Sequence, residues 1–541
     1  MFTRLFYFGL VAVSTLHAAL ANEPPGELPI LSLPYGRWRA AKYDRAADVY
    51  TFRNIRYAVP PTGPLRWTKP VRPKIPEIDI QDGSYDPPCI PGPQPEGFED
   101  PSYEKQRKSA SEDCLFLDIY VPGKALRENG SDKLPVIAWI YGGGYTIGSK
   151  DQAIEQGIYD GTRLVQHAAG NAIVVTFNYR LSVFGWLAGT TMENEGLPNA
   201  GLHDQRAALE WIKDYIHLVG GDRRKVSAWG ESAGGGSILS HLIMHEGKTD
   251  PLFRRAVALS PGLSFPVDRK GMVEDQFRDY LSKAGCTGKG VACLRAASIS
   301  KLIQASHNGV GQVGPTPDGR LLKHVFSVEM ARGKYWKHLD SLVVSHVFDE
   351  GGPFIRSNDT LTSLHSLVQS LFPAYAAEAV STLADHYNLN KPSYESVKTI
   401  GSKLVRDAIF ACNIRAIVQG YPQRSYLMQY SPRAATHGAD VAAVWYSPAL
   451  YNVTIPLFAG YQSYLLSHAI TNDPNSLRDQ ALTPPTIAWP RVAGTDKEKL
   501  RNVLNVGDTG YQLIADEQVL KSSCDIWQQV LLDATRQGGY L

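Results

Sequence analysis

Several absences narrow the possibilities before any motif is considered. After residue 21 no stretch is long and apolar enough to span a bilayer, so no membrane anchor is expected. Lysine plus arginine (55) nearly balance aspartate plus glutamate (53), and no basic stripe or acidic tail interrupts the mixture. That excludes a nucleic-acid partner recruited by charge. No Cys-x-x-Cys pair and no histidine-rich cluster is present, so neither a metal site nor a cofactor is expected. Internal repeats and low-complexity blocks are missing too.

What is there is a 541-residue chain, 43% hydrophobic and 20% charged, long enough to bury a large core. No convincing linker divides it, so residues 22–541 are expected to form one catalytic domain with insertions. Arg4, the apolar run Leu5–Val13 and the small residues Ala19-Leu20-Ala21 read as a secretory signal peptide over residues 1–21. A secreted, extracellular protein is therefore expected. The six cysteines suit an oxidising compartment. Acceptor sequons at Asn129, Asn358 and Asn452 make N-glycosylation an expectation in a eukaryotic host.

The most informative stretch is Lys225–Ser237, KVSAWGESAGGGS. A β-rich run (Val226 to Trp229) meets Gly230-Glu231-Ser232-Ala233-Gly234, and a helical pattern follows through Ile238, Leu239, Leu242 and Ile243. This is the strand–turn–helix context of a G-x-S-x-G nucleophile elbow. The turn predicts a strained backbone at Ser232, and it requires residues without side chains two before and two after it. The helix that follows points its positive end at a developing oxyanion.

Around the elbow, Leu115–Val121, Pro135–Ile140, Ala172–Phe177, Arg255–Ser260 and Leu342–Phe348 read as strands. Asn199–Ile216 carries apolar residues at helical spacing. Alternation of this kind predicts an α/β protein with a mostly parallel sheet covered on both faces. Phe52–Pro70, rich in proline, reads as an extended segment wrapping the surface. Gly142-Gly143-Gly144 directly follows a buried strand, which lets backbone N–H groups approach a ligand. By contrast, Gly309–Gly314 matches G-x-G-x-x-G but follows a polar segment and precedes Pro315 and Pro317, so no dinucleotide site is read there.

A reactive serine needs a base and an acid downstream. Val343–Phe348 runs into Asp349-Glu350-Gly351-Gly352, an acidic pair at a strand end. His437 follows the strand-like SYLMQY and sits beside Gly438, which is expected to leave space for an imidazole reaching towards Ser232.

With these pieces assembled, the chain resembles the type-B carboxylesterase and cholinesterase-like family of α/β-hydrolases. The resemblance rests on IRYAVPPTGPLRW (55–67), SEDCLFLDIYVP (111–122), GGG (142–144), NYRLSVFGWL (178–187), NAGLHDQRAALEWI (199–212), WGESAGGGS (229–237), DEGGPF (349–354), HGAD (437–440) and NDPN (472–475). It implies an α/β-hydrolase fold, with Ser232 as nucleophile, Glu350 as acid and His437 as base. It also implies an oxyanion hole from the N–H groups of Gly143, Gly144 and Ala233. The same resemblance pairs Cys89 with Cys114, Cys286 with Cys293 and Cys412 with Cys524. Arg66–Glu112 and Arg180–Asp204 become structural ion pairs by the same route.

Two departures bear on the substrate. Tyr141 stands where the family often has histidine, and it is expected to tune the pocket. The loop between Cys89 and Cys114 has no tryptophan, only Phe98 and Tyr103, so it lacks the ring that holds choline in cholinesterases. The loop is short and charged, unlike the apolar lid of family lipases. The expected substrate is a small-molecule ester, short-chain or soluble. The alternatives are a lipase or sterol esterase acting on long chains, a tailoring hydrolase of a secreted metabolite, and a silent adhesion member of the fold.

Overall fold

A computed structural model describes residues 27–74, 78–94, 103–127, 133–151, 158–263, 266–307, 313–391, 395–446 and 455–541. The signal-peptide segment, Phe98, Asn129 and Asn452 lie outside the described residues. Fourteen strands are described: β1 (Ile30–Leu33), β2 (Gly36–Arg39), β3 (Lys42–Asp44), β4 (Val49–Arg56), β5 (Ile80–Gln81), β6 (Phe116–Pro122) and β7 (Leu134–Ile140), then β8 (Ile173–Phe177), β9 (Gly221–Glu231), β10 (Arg255–Leu259), β11 (Ser341–Val347), β12 (Ser425–Tyr430), β13 (Val503–Gly507) and β14 (Gly510–Ile514).

Eleven strands form one sheet in the order β14-β13-β12-β11-β10-β9-β7-β8-β6-β4-β3, and β1, β2 and β5 form a small second sheet. The middle of the large sheet, from β13 through β8, is parallel. Its two margins are antiparallel. Strands covered on both faces must be apolar throughout, which is why β7 (LPVIAWI) and β8 (IVVTF) are buried at every residue. The helix Ala200–Tyr215 packs on β9, and Ala233–Ile243 packs on β9 and β10.

Phe52–Pro70 differs from its sequence reading. Its first five residues belong to β4, which pairs antiparallel with β6 and buries Phe52 and Ile55. The β-favouring run Val49-Tyr50-Thr51 nucleates the strand ahead of the prolines, and the remainder leaves the sheet, makes the 3-10 turn Gly63–Leu65 and still buries Tyr57, Ala58 and Trp67. Near the G-x-G-x-x-G match, the described residues before Gly309 form the helix Ile299–His307, not the strand a dinucleotide fingerprint needs.

Three disulfides, Cys89–Cys114, Cys286–Cys293 and Cys412–Cys524, use all six cysteines. Arg180 grips Asp204 with two side-chain bonds of 2.7 Å, and Arg66 grips Glu112 at 2.6 and 2.8 Å. All four groups are buried or nearly so, and each arginine also ties down backbone carbonyls. These charges are scaffold.

Candidate active site

The parallel strands deliver every candidate residue to one edge of the sheet. Ser232 follows β9, Gly142–Gly144 follow β7, Glu350 follows β11, and His437 follows β12. A crevice outside the carboxyl ends of the strands is where open α/β sheets place ligands.

The elbow is as tight as the sequence requires. Ser232 sits at φ 55°, ψ −121°, a conformation that L-residues rarely hold, at the head of the helix Ala233–Ile243. A Cβ on Gly234 would lie 2.0 Å from the Ile140 carbonyl oxygen. One on Gly230 would lie 2.6 Å from the Gly234 carbonyl carbon. Both obstacles are backbone, so neither can move aside, and glycine is dictated at both positions.

His437 bridges the other two groups. Its Nε2 lies 2.9 Å from Ser232 Oγ, and its Nδ1 lies 2.6 Å from Glu350 Oε2. The second Glu350 oxygen accepts the Val347 N–H at 2.8 Å, which fixes the carboxylate in its plane. The structure thus brings Ser232, His437 and Glu350 together within hydrogen-bond reach. Gly438 earns its place differently from expectation. The one atom within 4 Å of a Cβ there is Glu231 Oε1 at 3.9 Å, so space is not limiting, whereas φ +83° is.

On the opposite side, Gly143 adopts φ +101° and Gly144 φ +60°. A Cβ on Gly142 would meet the Ser232 Cβ at 3.0 Å, so the glycine run passes directly beside the serine. Among the described residues, no protein acceptor takes the N–H of Gly143, Gly144 or Ala233. Tyr141 acts here through the backbone. It is fully buried and stacks on Tyr179 with ring centres 4.4 Å apart. The Tyr179 hydroxyl donates to the Tyr141 carbonyl at 2.9 Å, and the Tyr141 hydroxyl donates to the Tyr179 carbonyl at 3.1 Å. This reciprocal clasp anchors the start of the glycine run.

Several residues around the site were not singled out from sequence. Glu231, inside the elbow motif, is buried, and its Oε1 lies 3.5 Å from His437 Nε2 while accepting no hydrogen bond among the described residues. Asp440, in the HGAD block, is buried with Tyr461 donating to it at 3.2 Å. Burial pushes both carboxyls up, against the pull of His437, and neighbouring carboxylates add to the rise. For His437, burial acts downwards, but the bond and charge of Glu350, then Glu231 and Asp440, push it up to about 9. A further wall comes from the π-helical turn Arg406–Ala411, which sets the Phe410 ring 4.6 Å from His437. Phe354, partly exposed, stands 5.6 Å from the same imidazole.

These carboxyls give a signed expectation. The base form of His437 is lost as pH falls through its raised pKa, and Glu231 is one cause of that rise. In Glu231→Gln the acid limb of the kcat/KM profile therefore moves to lower pH. A pH-rate comparison with wild type checks this, and a limb that stays or moves upwards contradicts it.

A large, centrally parallel sheet with a serine elbow between strand and helix, and site loops at its carboxyl edge, is the α/β-hydrolase fold. A profile of the carboxylesterase family matches residues 27–527. The chain belongs to that family and is a carboxylic ester hydrolase. It is 65% identical, over the full length of both chains, to a secreted lipase of Arthroderma benhamiae. It is 29% identical to carboxylesterase patB of Aspergillus clavatus, covering 94% of this chain and 97% of that one. Among solved structures, Aspergillus niger EstA superposes with a TM-score of 0.78 at 24% identity, over 94% of this chain and 99% of that one. This last likeness concerns the fold.

Proposed function

We propose that the chain is a secreted serine esterase working through Ser232, His437 and Glu350. The observation that carries this reading is the unbroken run of contacts, 2.9 Å from Oγ to Nε2 and 2.6 Å from Nδ1 to Oε2, at a strained elbow. His437 takes the Ser232 proton as Oγ attacks the ester carbonyl. Glu350 holds the imidazole tautomer and stabilises the imidazolium. The N–H groups of Gly143, Gly144 and Ala233 receive the negative charge that forms on the carbonyl oxygen. His437 then protonates the departing alcohol, and water repeats the sequence on the acyl-enzyme to release the acid. Export is supported by the signal-like first 21 residues and by the relative named a secreted lipase.

Short-chain or otherwise soluble esters fit the site best. In the described part of the Cys89–Cys114 loop, the helix Tyr103–Ser109 turns Glu104, Lys105, Arg107 and Lys108 to solvent. Its buried Tyr103 and Gln106 are pinned, Tyr103 to the Gly92 carbonyl at 2.9 Å and Gln106 to the Gly148 carbonyl at 2.6 Å. A charged, tethered face is poorly suited to lie on a lipid droplet. A second reading, a lipase for long-chain esters, is favoured by the name of the 65%-identical relative. Hydrolysis of p-nitrophenyl esters from acetate to palmitate separates them. Ser232-dependent activity peaking at short chains is expected, and a peak at palmitate establishes the lipase instead.

A further inference from the structure

Beyond the three groups already assigned, one more buried histidine is wired towards the acid. His346 is the penultimate residue of β11, four positions before Glu350, and it is 1% exposed. Its Nδ1 faces the Val347 carbonyl at 3.0 Å, and its Nε2 faces Asp516 Oδ2 at 3.0 Å. The other Asp516 oxygen already accepts the N–H groups of Gln518 at 2.8 Å and Val519 at 3.0 Å. An acid taking two amide protons on one oxygen is held as the carboxylate. With the Val347 carbonyl at Nδ1 and the Asp516 carboxylate at Nε2, the surroundings favour the doubly protonated, imidazolium form of His346.

The pair is mechanically linked to the site through a single residue. The Val347 carbonyl accepts from His346, and the Val347 N–H donates to Glu350 Oε1 at 2.8 Å. The same C-terminal segment braces the next residue as well, since the Gln518 side chain donates to the Phe348 carbonyl at 2.7 Å. Other buried histidines behave differently: burial drives His241 and His468, which have no carboxylate bonded to the ring, down to about 3. In His346 burial is outweighed by the charge and hydrogen bond of Asp516, then by the hydrogen bond to the Val347 carbonyl and the charge of Glu350, and the group is raised. Asp516, despite burial, is lowered by His346.

We propose that the His346–Asp516 ion pair is a positioning unit for Glu350. It clamps the Val347 peptide that orients the carboxylate, and it places a fixed cation behind the acid. The inference rests on Glu350 acting as the acid of the triad. The charged or titratable groups facing His346 are Asp516, from the segment after β14, and Glu350, from the loop after β11. Those facing His437 are Glu350, Glu231 and Asp440. When the cation behind Glu350 is removed, the field at His437 becomes more negative, so His437 takes a proton more readily. The base form is then lost at higher pH than in wild type.

The test uses His346→Gln and Asp516→Asn in the full-length secreted enzyme, with p-nitrophenyl butyrate as substrate and rates normalised by active-site titration. His346→Gln removes the imidazolium and leaves the Asp516 carboxylate, a net gain of one negative charge behind Glu350, whereas Asp516→Asn removes both charges of the pair, the cation nearer Glu350 and the anion beyond it. Expected in both is a kcat about tenfold lower with KM within about twofold; the acid limb of kcat/KM moves up by about half a pH unit in His346→Gln and by less in Asp516→Asn. A purely structural role would lower thermal stability and the titratable fraction while leaving the limb in place. An unshifted limb with near-wild-type kcat per active site overturns the proposal. If His346→Gln does not fold, the nearly isosteric Asp516→Asn decides alone. Glu350→Gln separates this claim from the one beneath it. Should Glu350→Gln keep full activity, the role of Glu350 fails and the proposal fails with it. Should it be crippled while His346→Gln and Asp516→Asn are not, only the positioning claim falls.

Discussion

Replacing Ser232 by alanine is expected to lower kcat on a soluble ester by a factor on the order of 10⁶, with the fold intact. The side chain lost is one hydroxyl, and the backbone strain at φ 55° is set by the surrounding turn rather than by the oxygen. His437→Ala should cost about as much, because Ser232 Oγ has its proton acceptor at 2.9 Å in His437 alone of the proposed triad. The Ser232→Ala, His437→Ala double variant should lose little more than either single one, since a nucleophile and its base fail as a unit. Glu350→Gln should be less severe, about 10⁴-fold, because the amide keeps the shape of the site but favours the wrong imidazole tautomer. Some rate above that of water should persist in all of them, from the proposed oxyanion donors at Gly143, Gly144 and Ala233. Steady-state kinetics with active-site titration measure each step. Additive losses in the double variant would mean that the two groups do not work together.

The second large effect concerns stability. Cys412 and Cys524 are 112 residues apart, and their disulfide joins the helix Cys412–Gly420 to the helix Lys521–Gln537. Cross-linking so long a loop removes much more freedom from the unfolded chain than a short link does. The loop-entropy relation gives about 5 kcal/mol for this bond, and about 2.5 kcal/mol for Cys286–Cys293 with its separation of 7 residues. A cost near 5 kcal/mol is a large share of what holds a folded protein together. Paired Cys→Ser variants followed by urea unfolding should therefore rank Cys412–Cys524 well above Cys286–Cys293. Equal losses would show that native-state packing, rather than loop length, sets their worth.

The parts of the molecule legible in the sequence are those specified locally. β7, β8 and the elbow strand are short apolar runs beside glycine, so their positions follow from composition and spacing. Ser232 and its flanking glycines are legible because one tight turn imposes all three. β13 and β14 were not legible. Each has five residues, β14 is exposed or half-buried at every one of them, and pairing with β12 across more than seventy residues is what makes β13 a strand. The start of β4 was obscured by the prolines that follow it. Glu231 and Asp440 stood in quoted motifs, but their effect on His437 depends on burial that no local pattern reveals. The same holds for His346, whose partner Asp516 lies 170 residues downstream. Tyr141 stacks on Tyr179 and so supports the glycine run, a contact between distant residues that no local pattern shows.

The central claim is that Ser232 is the nucleophile. Its most direct test is to label the intact protein with a fluorophosphonate, which forms a stable bond to an activated serine, and to map the adduct by peptide mass spectrometry. The account predicts one adduct per chain on the peptide containing Gly230-Glu231-Ser232-Ala233-Gly234, formed in step with loss of esterase activity and abolished in His437→Ala. An adduct on another serine, or full inactivation with Ser232 unmodified, would contradict it.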